Sequence, residues 1–547
     1  MKNILICIAL LFFYTQSFSA PFEGRNLVIS ATSVDGVKAA KKIYQKGGNV
    51  IDAAVTLGLV MSVTHPYFAS LGGGGFAQVR MNGKVETLDF REMAPGKTHE
   101  KFYADKKNNS RRGGSAVGTP GMLAGYWEMH QKYGKLPWKD VVAPAIQVAE
   151  KGFQINHDWP KRIDMAMDYL DSVGKEILFP KNKKQDPGEV LTQKKYAYAL
   201  RLIQKYGPKP FYQGAIAKDI VAAVKKSGGV LSMDDLASYK VKWRVPLKKE
   251  FKGYTFYLMP PPSSGGVVIA TALDLIEKRD VFKYDNFADL EIHLLIEIMK
   301  RSFRGRGLLG DPDFYENPVE KLLSEKYINQ LNRSIRFSKV NPIAPIDEAK
   351  FLPQKESTET THFSIADKDG NAVSATITMN GVFGSGVFSN KFGINLNNEM
   401  DDFTTQPGKP NMFGLIQGSG NKVEPNKRPL SSMTPTIVEK EGDLRLVIGA
   451  PGGPMIISAI LQVAYRNLFK DLNIDEAVQA PRFHHQFLPD KVIYDKNKVF
   501  PTTLKVLERK GHKLSTGWAA RVYAVSKEGN VLTGAHDNRL PGHTDGY

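Results

Sequence analysis

Residues 342–358 carry three prolines and no helical period, and they run directly into Glu359-Thr360-Thr361-His362. From there the pattern changes. An alternating run over 361–367 predicts a strand, Asp369-Gly370 a turn, and 371–379 a second strand. Asp-Gly between two such runs is a strong hairpin signal, because both residues tolerate the positive φ of a type I′ turn. A polar connector therefore feeds a strand that must be buried, and two threonines stand at its first positions. Any fold for this chain has to place that junction.

Two readings of the junction follow from the residues. β-Branched threonines simply favour the start of a strand. Alternatively, the chain is cut between Glu359 and Thr360. A threonine hydroxyl is a weak nucleophile that needs a neighbouring base. Cleavage would free the α-amine of Thr360, which titrates near about 8 and can serve as that base.

The rest of the chain narrows the class. Lys2, an apolar run over 4–14 and small residues before position 20 read as a signal peptide, residues 1–19, with cleavage after Ser19. That run is too short to span a bilayer, and no other stretch reaches the roughly 18 apolar residues required. The single cysteine, Cys7, falls inside the signal peptide, so the mature chain has no disulfide or zinc-thiolate chemistry. A formal charge of +18 raises the question of nucleic acid. No nucleic-acid-binding signature accompanies it, and tracts such as Lys181-Asn182-Lys183-Lys184 read as solvated surface.

Periodicity predicts helices over 34–45, 50–63, much of 122–152, 194–206, 215–227, 267–278, 290–303 and 455–469. Strands are expected at 76–81 and 84–90 around Asn82-Gly83, then at 436–439, 444–448, 522–525 and 531–534. Helices, then paired antiparallel strands, then helices again imply a layered α/β sandwich.

Several familiar sites are missing from the sequence: G-x-S-x-G, H-E-x-x-H and the P-loop. The run Gly72-Gly73-Gly74-Gly75 precedes a strand, so it reads as close backbone packing and not as a phosphate cradle. His484-His485 has no carboxylate at ligand spacing, and no metal site is expected.

Several segments together resemble the γ-glutamyltransferases (γ-glutamyl transpeptidases). They are Thr360-Thr361-His362-Phe363-Ser364, Asn397-Asn398-Glu399-Met400-Asp401-Asp402-Phe403, Lys427-Arg428-Pro429-Leu430-Ser431-Ser432-Met433, Ala450-Pro451-Gly452-Gly453 and Ala480-Pro481-Arg482-Phe483-His484-His485-Gln486. Upstream, Leu71-Gly72-Gly73-Gly74-Gly75-Phe76, Asp89-Phe90-Arg91-Glu92 and Pro261-Pro262-Ser263-Ser264-Gly265-Gly266 resemble the family's large subunit. The resemblance implies a four-layer αββα sandwich of the N-terminal-nucleophile hydrolase type. It would be self-cleaved into a large subunit, 20–359, and a small one, 360–547, that form one intertwined domain and a heterodimer.

The roles implied are these. Thr360 is the nucleophile, Thr378 hydrogen-bonds it, and Gly452 and Gly453 supply the oxyanion donors. Arg91, Ser431 and Ser432 take the donor's α-carboxylate; Asp402, Glu399 and Asn380 take its α-ammonium. The substrates are glutathione or related γ-glutamyl compounds, with water, amino acids or dipeptides as acceptors. No cofactor is implied. Phe413 stands where the family carries a lid residue and has no hydroxyl to donate. Two rivals stay open: a cephalosporin or glutaryl amidase of the same fold, and an exported binding protein that is never cleaved.

Overall fold

The computed structural model describes residues 21–180, 183–343, 360–406, 408–416, 418–518 and 520–547. The expected signal peptide, Lys181-Asn182, nearly all of the connector and Glu359 lie outside the described residues.

Two seven-stranded antiparallel sheets face each other. One runs in the order His543–Gly546, Leu27–Ala31, Thr360–Asp367, Ala372–Thr378, Gly74–Met81, Lys84–Phe90, Lys242–Arg244. The other runs Phe22–Gly24, Val531–His536, Tyr523–Glu528, Asp443–Gly449, Thr436–Lys440, Tyr254–Leu258, Leu247–Phe251. Both sheets thus take strands from either side of position 360. Helices Val34–Gln45, Val50–Thr64 and Met122–Tyr133 cover the first sheet; Gly265–Lys278, Asp289–Arg304 and Met455–Phe469 cover the second. The result is the expected αββα sandwich.

Alternation along Thr360–Asp367 explains why this strand sits at the centre. Phe363 and Ile365 pack into the helix-covered core, while Ala366 joins Val28, Val447 and Val525 between the sheets. Towards Thr360, the layer between the sheets becomes polar. Ser30, Ser364 and Ser374 each donate to a backbone carbonyl of the opposite sheet, at 2.7, 3.0 and 2.9 Å. These short hydroxyls let the sheets approach closely. A Cβ on Gly449 would stand 2.1 Å from Cε1 of His362. His362 is enclosed between Thr376 and Ser364, and burial lowers its pKa to about 3, so its ring is neutral.

Several local expectations hold. Asn49 closes a capping box on the helix from Val50. Asn82 and Gly83 both have positive φ, 51° and 79°, the pair a type I′ turn requires. The glycine run is indeed a packing device: a Cβ on Gly73 would lie 2.1 Å from the Thr378 carbonyl oxygen. One expectation fails. In the Asp369-Gly370 turn only Gly370 has positive φ. The Asp367 carboxylate shapes this turn instead, accepting from the backbone N–H of Asp369 and Asn371 at 3.0 and 2.9 Å.

Candidate active site

The strand start at Thr360 opens into a small cavity that Thr378, Arg91, Asp402 and Ser431 also line. Thr360 is buried and lies directly opposite Thr378 in the hairpin register. The chain turns sharply after Thr378: Asn380 has φ of 69°, and its backbone N–H donates to Thr378 Oγ1 at 2.8 Å. The Asn380 side-chain nitrogen donates to the Asn398 carbonyl at 3.0 Å, so its amide oxygen is the atom that can accept.

Arg91 leaves the end of strand Lys84–Phe90 and is fully buried. Asp89 fixes its backbone N–H at 3.0 Å, and Tyr239 donates to its carbonyl at 2.8 Å. Its guanidinium donates to the Pro429 carbonyl at 3.3 Å, to Glu399 Oε1, and to Asp402 Oδ2 at 2.5 Å. A guanidinium has five N–H donors, and these bonds use three of them; a Glu92 carboxylate oxygen stands 3.8 Å from the same group. Burial opposes the charge of Arg91, but Glu399 and Asp402 outweigh it and raise its pKa. Burial in turn raises the pKa of Glu399 and Asp402, against the pull of Arg91. Asp402 also accepts from the Asn411 amide at 3.1 Å.

Ser431 and Ser432 stand on a loop tied to the Pro261-Pro262-Ser263-Ser264 segment. Ser431 N donates to the Pro262 carbonyl at 2.7 Å, and Ser264 Oγ donates to the Ser431 carbonyl at 2.9 Å. Ser432 Oγ is buried and has no hydrogen-bond partner among the described residues. Gly452 and Gly453 have φ of 133° and 56°, a conformation few other residues adopt, and they lead into the helix Met455–Phe469. Among the described residues neither N–H donates to a backbone acceptor.

The sequence profile of the Gamma-glutamyltranspeptidase family matches residues 36–547. The chain belongs to the γ-glutamyltranspeptidase family. It is 40% identical to the glutathione hydrolase proenzyme of Escherichia coli (strain K12) over 543 residues, 96% of this chain and 91% of that protein. The γ-glutamyltranspeptidase structure from Helicobacter pylori aligns at a TM-score of 0.56 with 34% identity, over 58% of this chain and 96% of that one. A cephalosporin acylase structure from Bacillus halodurans aligns at a TM-score of 0.84 with 26% identity, over 98% of this chain and 99% of that one.

In this γ-glutamyltranspeptidase family member, nine of the ten residues singled out for catalysis or binding line one cavity: Thr360, Thr378, Gly453, Arg91, Asn380, Glu399, Asp402, Ser431 and Ser432. Gly452 stands one residue behind, against Trp518. The sequence reading missed Arg306, which also lines the cavity. It is buried in the turn Gly305–Leu308, and burial lowers its pKa to about 10 with Asp402 opposing, so it remains charged at neutral pH. A lone arginine between two glycines gives no pattern from which that placement could be read. Phe413 lies over Gly453, where an added Cβ would meet its ring at 2.7 Å.

His484 and His485 turn to different partners: His484 to Ser458 and Gln486, His485 to Asp490. Among the described residues, no group of three or more His, Cys, Asp and Glu side chains could hold a metal ion. No described helix is long and apolar enough to cross a membrane.

Proposed function

We propose that this chain is an exported glutathione hydrolase and γ-glutamyltransferase, activated by its own cleavage before Thr360. The observation that carries the reading is the charge layout beside Thr360. A buried arginine, two hydroxyls, and the carboxylates of Asp402 and Glu399 fit a group that bears both a carboxylate and an ammonium. The α-amino-acid end of a γ-glutamyl compound is such a group. The signal-peptide pattern over 1–19 supports export.

Maturation then proceeds within the precursor. Thr360 Oγ1 attacks the Glu359 carbonyl carbon, the peptide nitrogen leaves as the amine of Thr360, and water hydrolyses the ester. In turnover the freed α-amine accepts the Oγ1 proton as Oγ1 attacks the γ-carbonyl. The N–H groups of Gly452 and Gly453 stabilise the oxyanion. The same proton passes to the departing amine, leaving a γ-glutamyl ester on Thr360. Water or an acceptor amine releases it.

Incubating the purified protein with glutathione tests this. Glutamate and cysteinylglycine should form, and glycylglycine should divert the γ-glutamyl group into γ-glutamyl-glycylglycine. The whole-chain likeness to a cephalosporin acylase favours a second reading, an amidase for glutaryl-type donors. Faster turnover of a glutaryl anilide than of a γ-glutamyl anilide would decide for it. A single uncleaved band on a denaturing gel, without turnover, would favour the binding protein.

Arg91→Lys keeps the charge but loses the planar fork. With normal cleavage at Thr360, KM for glutathione is expected to rise by at least about tenfold, the weight of one charge-assisted hydrogen bond. An unchanged KM would mean that another cation, such as Arg306, takes the α-carboxylate.

A further inference from the structure

Phe413 is held over the cavity from two sides. On the inner side, Asn411 donates its amide to Asp402 Oδ1 at 3.1 Å. The amide oxygen of the same side chain accepts the backbone N–H of Phe413 and of Leu415, at 3.0 and 3.1 Å. One buried side chain therefore joins the carboxylate beside Arg91 to the backbone that carries the Phe413 ring. On the outer side, Gln486 Nε2 donates to the Phe413 carbonyl at 3.3 Å.

Gln486 is itself positioned from behind the glycines. Its Oε1 lies 2.9 Å from His484 Nε2, and His484 Nδ1 lies 2.7 Å from Ser458 Oγ. Ser458 sits in the first turn of Met455–Phe469, the helix that follows Gly452 and Gly453. Burial lowers the His484 pKa to about 3, so the ring carries one proton. Because Gln486 Nε2 serves Phe413, its Oε1 must accept, and the His484 proton belongs on Nε2. His484 Nδ1 then accepts from the Ser458 hydroxyl at the shorter of its two contacts, the other being to the Met455 carbonyl at 3.2 Å. The donors all run one way, from the helix behind the glycines to the backbone of Phe413. This chain gives the Ala480-to-Gln486 segment a task that metal binding did not.

We infer that Asn411 and Gln486 are positioning residues that clamp Phe413 over Gly453, and that the clamp sets how the γ-glutamyl ester on Thr360 partitions between water and amine acceptors. The inference rests on the function proposed above. In the partition step the ester bond between the acyl carbon and Thr360 Oγ1 breaks. The carbon bonds to a water oxygen or to the acceptor nitrogen. The proton lost by that nucleophile passes through the Thr360 amine to Oγ1. A seated ring walls the mouth of the cavity against bulk water and gives an amine a surface to pack on. A loosened ring favours water.

The test measures the transfer-to-hydrolysis ratio at fixed γ-glutamyl anilide and glycylglycine, a ratio that does not depend on how much enzyme is active. Asn411→Ser removes the inner link and Gln486→Leu the outer one. Both are first checked for cleavage before Thr360, and Asn411→Asp replaces the serine variant if that one is not cleaved. Each is expected to lower the ratio by at least about fivefold, the weight of one neutral hydrogen bond, while KM for the donor in Gln486→Leu stays near that of the wild type. A ratio that is unchanged or raised in the cleaved variants overturns the clamp. A wild-type protein that turns over no γ-glutamyl donor defeats the underlying function instead, so the two failures are distinct.

Discussion

Replacing Thr360 with alanine should give a single full-length polypeptide on a denaturing gel and no turnover of glutathione. Thr360 is buried at the first position of its strand, opposite Thr378, and alanine fits that position without disturbing the ladder. What is lost is Oγ1. Without it the Glu359 carbonyl has no internal nucleophile, so neither the N→O shift nor the free α-amine can arise. The two losses share one cause, and they should appear together. Activity should fall by at least about a thousandfold, the scale on which removal of a nucleophile acts. Thr360→Ser, which keeps the hydroxyl, should still be cleaved. N-terminal sequencing of the wild-type small fragment should begin Thr-Thr-His-Phe. If Thr360→Ala is cut at the same bond, an outside protease makes the cut and self-cleavage is wrong.

The central hairpin was legible because its chemistry is local. Alternation placed Phe363 and Ile365 on the helix-covered side, and the sheet obeys it. Its turn was misread because the deciding group is a side chain, the Asp367 carboxylate, and not the backbone tolerance of Asp369. The neighbouring strand Leu27–Ala31 escaped notice for a different reason. It is buried along its whole length, so it shows no alternation. The closing strand His543–Gly546 is polar and half exposed, and it pairs only because Leu27–Ala31 offers it an edge.

The site is less local still. Arg91 and Asp402 touch across 311 positions of sequence, and no period or spacing encodes that meeting. Only the family resemblance named them together. It did not reveal that Arg91 is bonded to both Glu399 and Asp402, nor that Arg306 faces the same carboxylate. Asn411 and Gln486 were silent for the same reason: each acts through a neighbour brought in by the fold.

Asp402→Asn separates the γ-glutamyl reading from the amidase reading. A glutaryl donor is a γ-glutamyl donor without its α-amine, so both present the same carboxylate to Arg91, Ser431 and Ser432. Only the γ-glutamyl compound brings an ammonium that needs a buried acceptor. The asparagine keeps the shape of Asp402 and can still accept from Asn411, but it carries no charge. It also withdraws one anionic partner from Arg91, a loss both donors feel alike. Breaking a buried charge pair costs on the order of 2–5 kcal/mol, or roughly thirty-fold to several thousand-fold in kcat/KM. That part of the effect should fall on the γ-glutamyl donor alone. The ratio of kcat/KM for γ-glutamyl over glutaryl anilide should therefore drop by at least about tenfold, allowing for hydrogen bonds the amide retains. Both donors must be assayed with wild type and mutant, each shown to be completely cleaved before Thr360. A parallel fall in the two substrates would place Asp402 among the supports of Arg91 or of maturation, and the ammonium would have to be held by Glu399 and Asn380 instead.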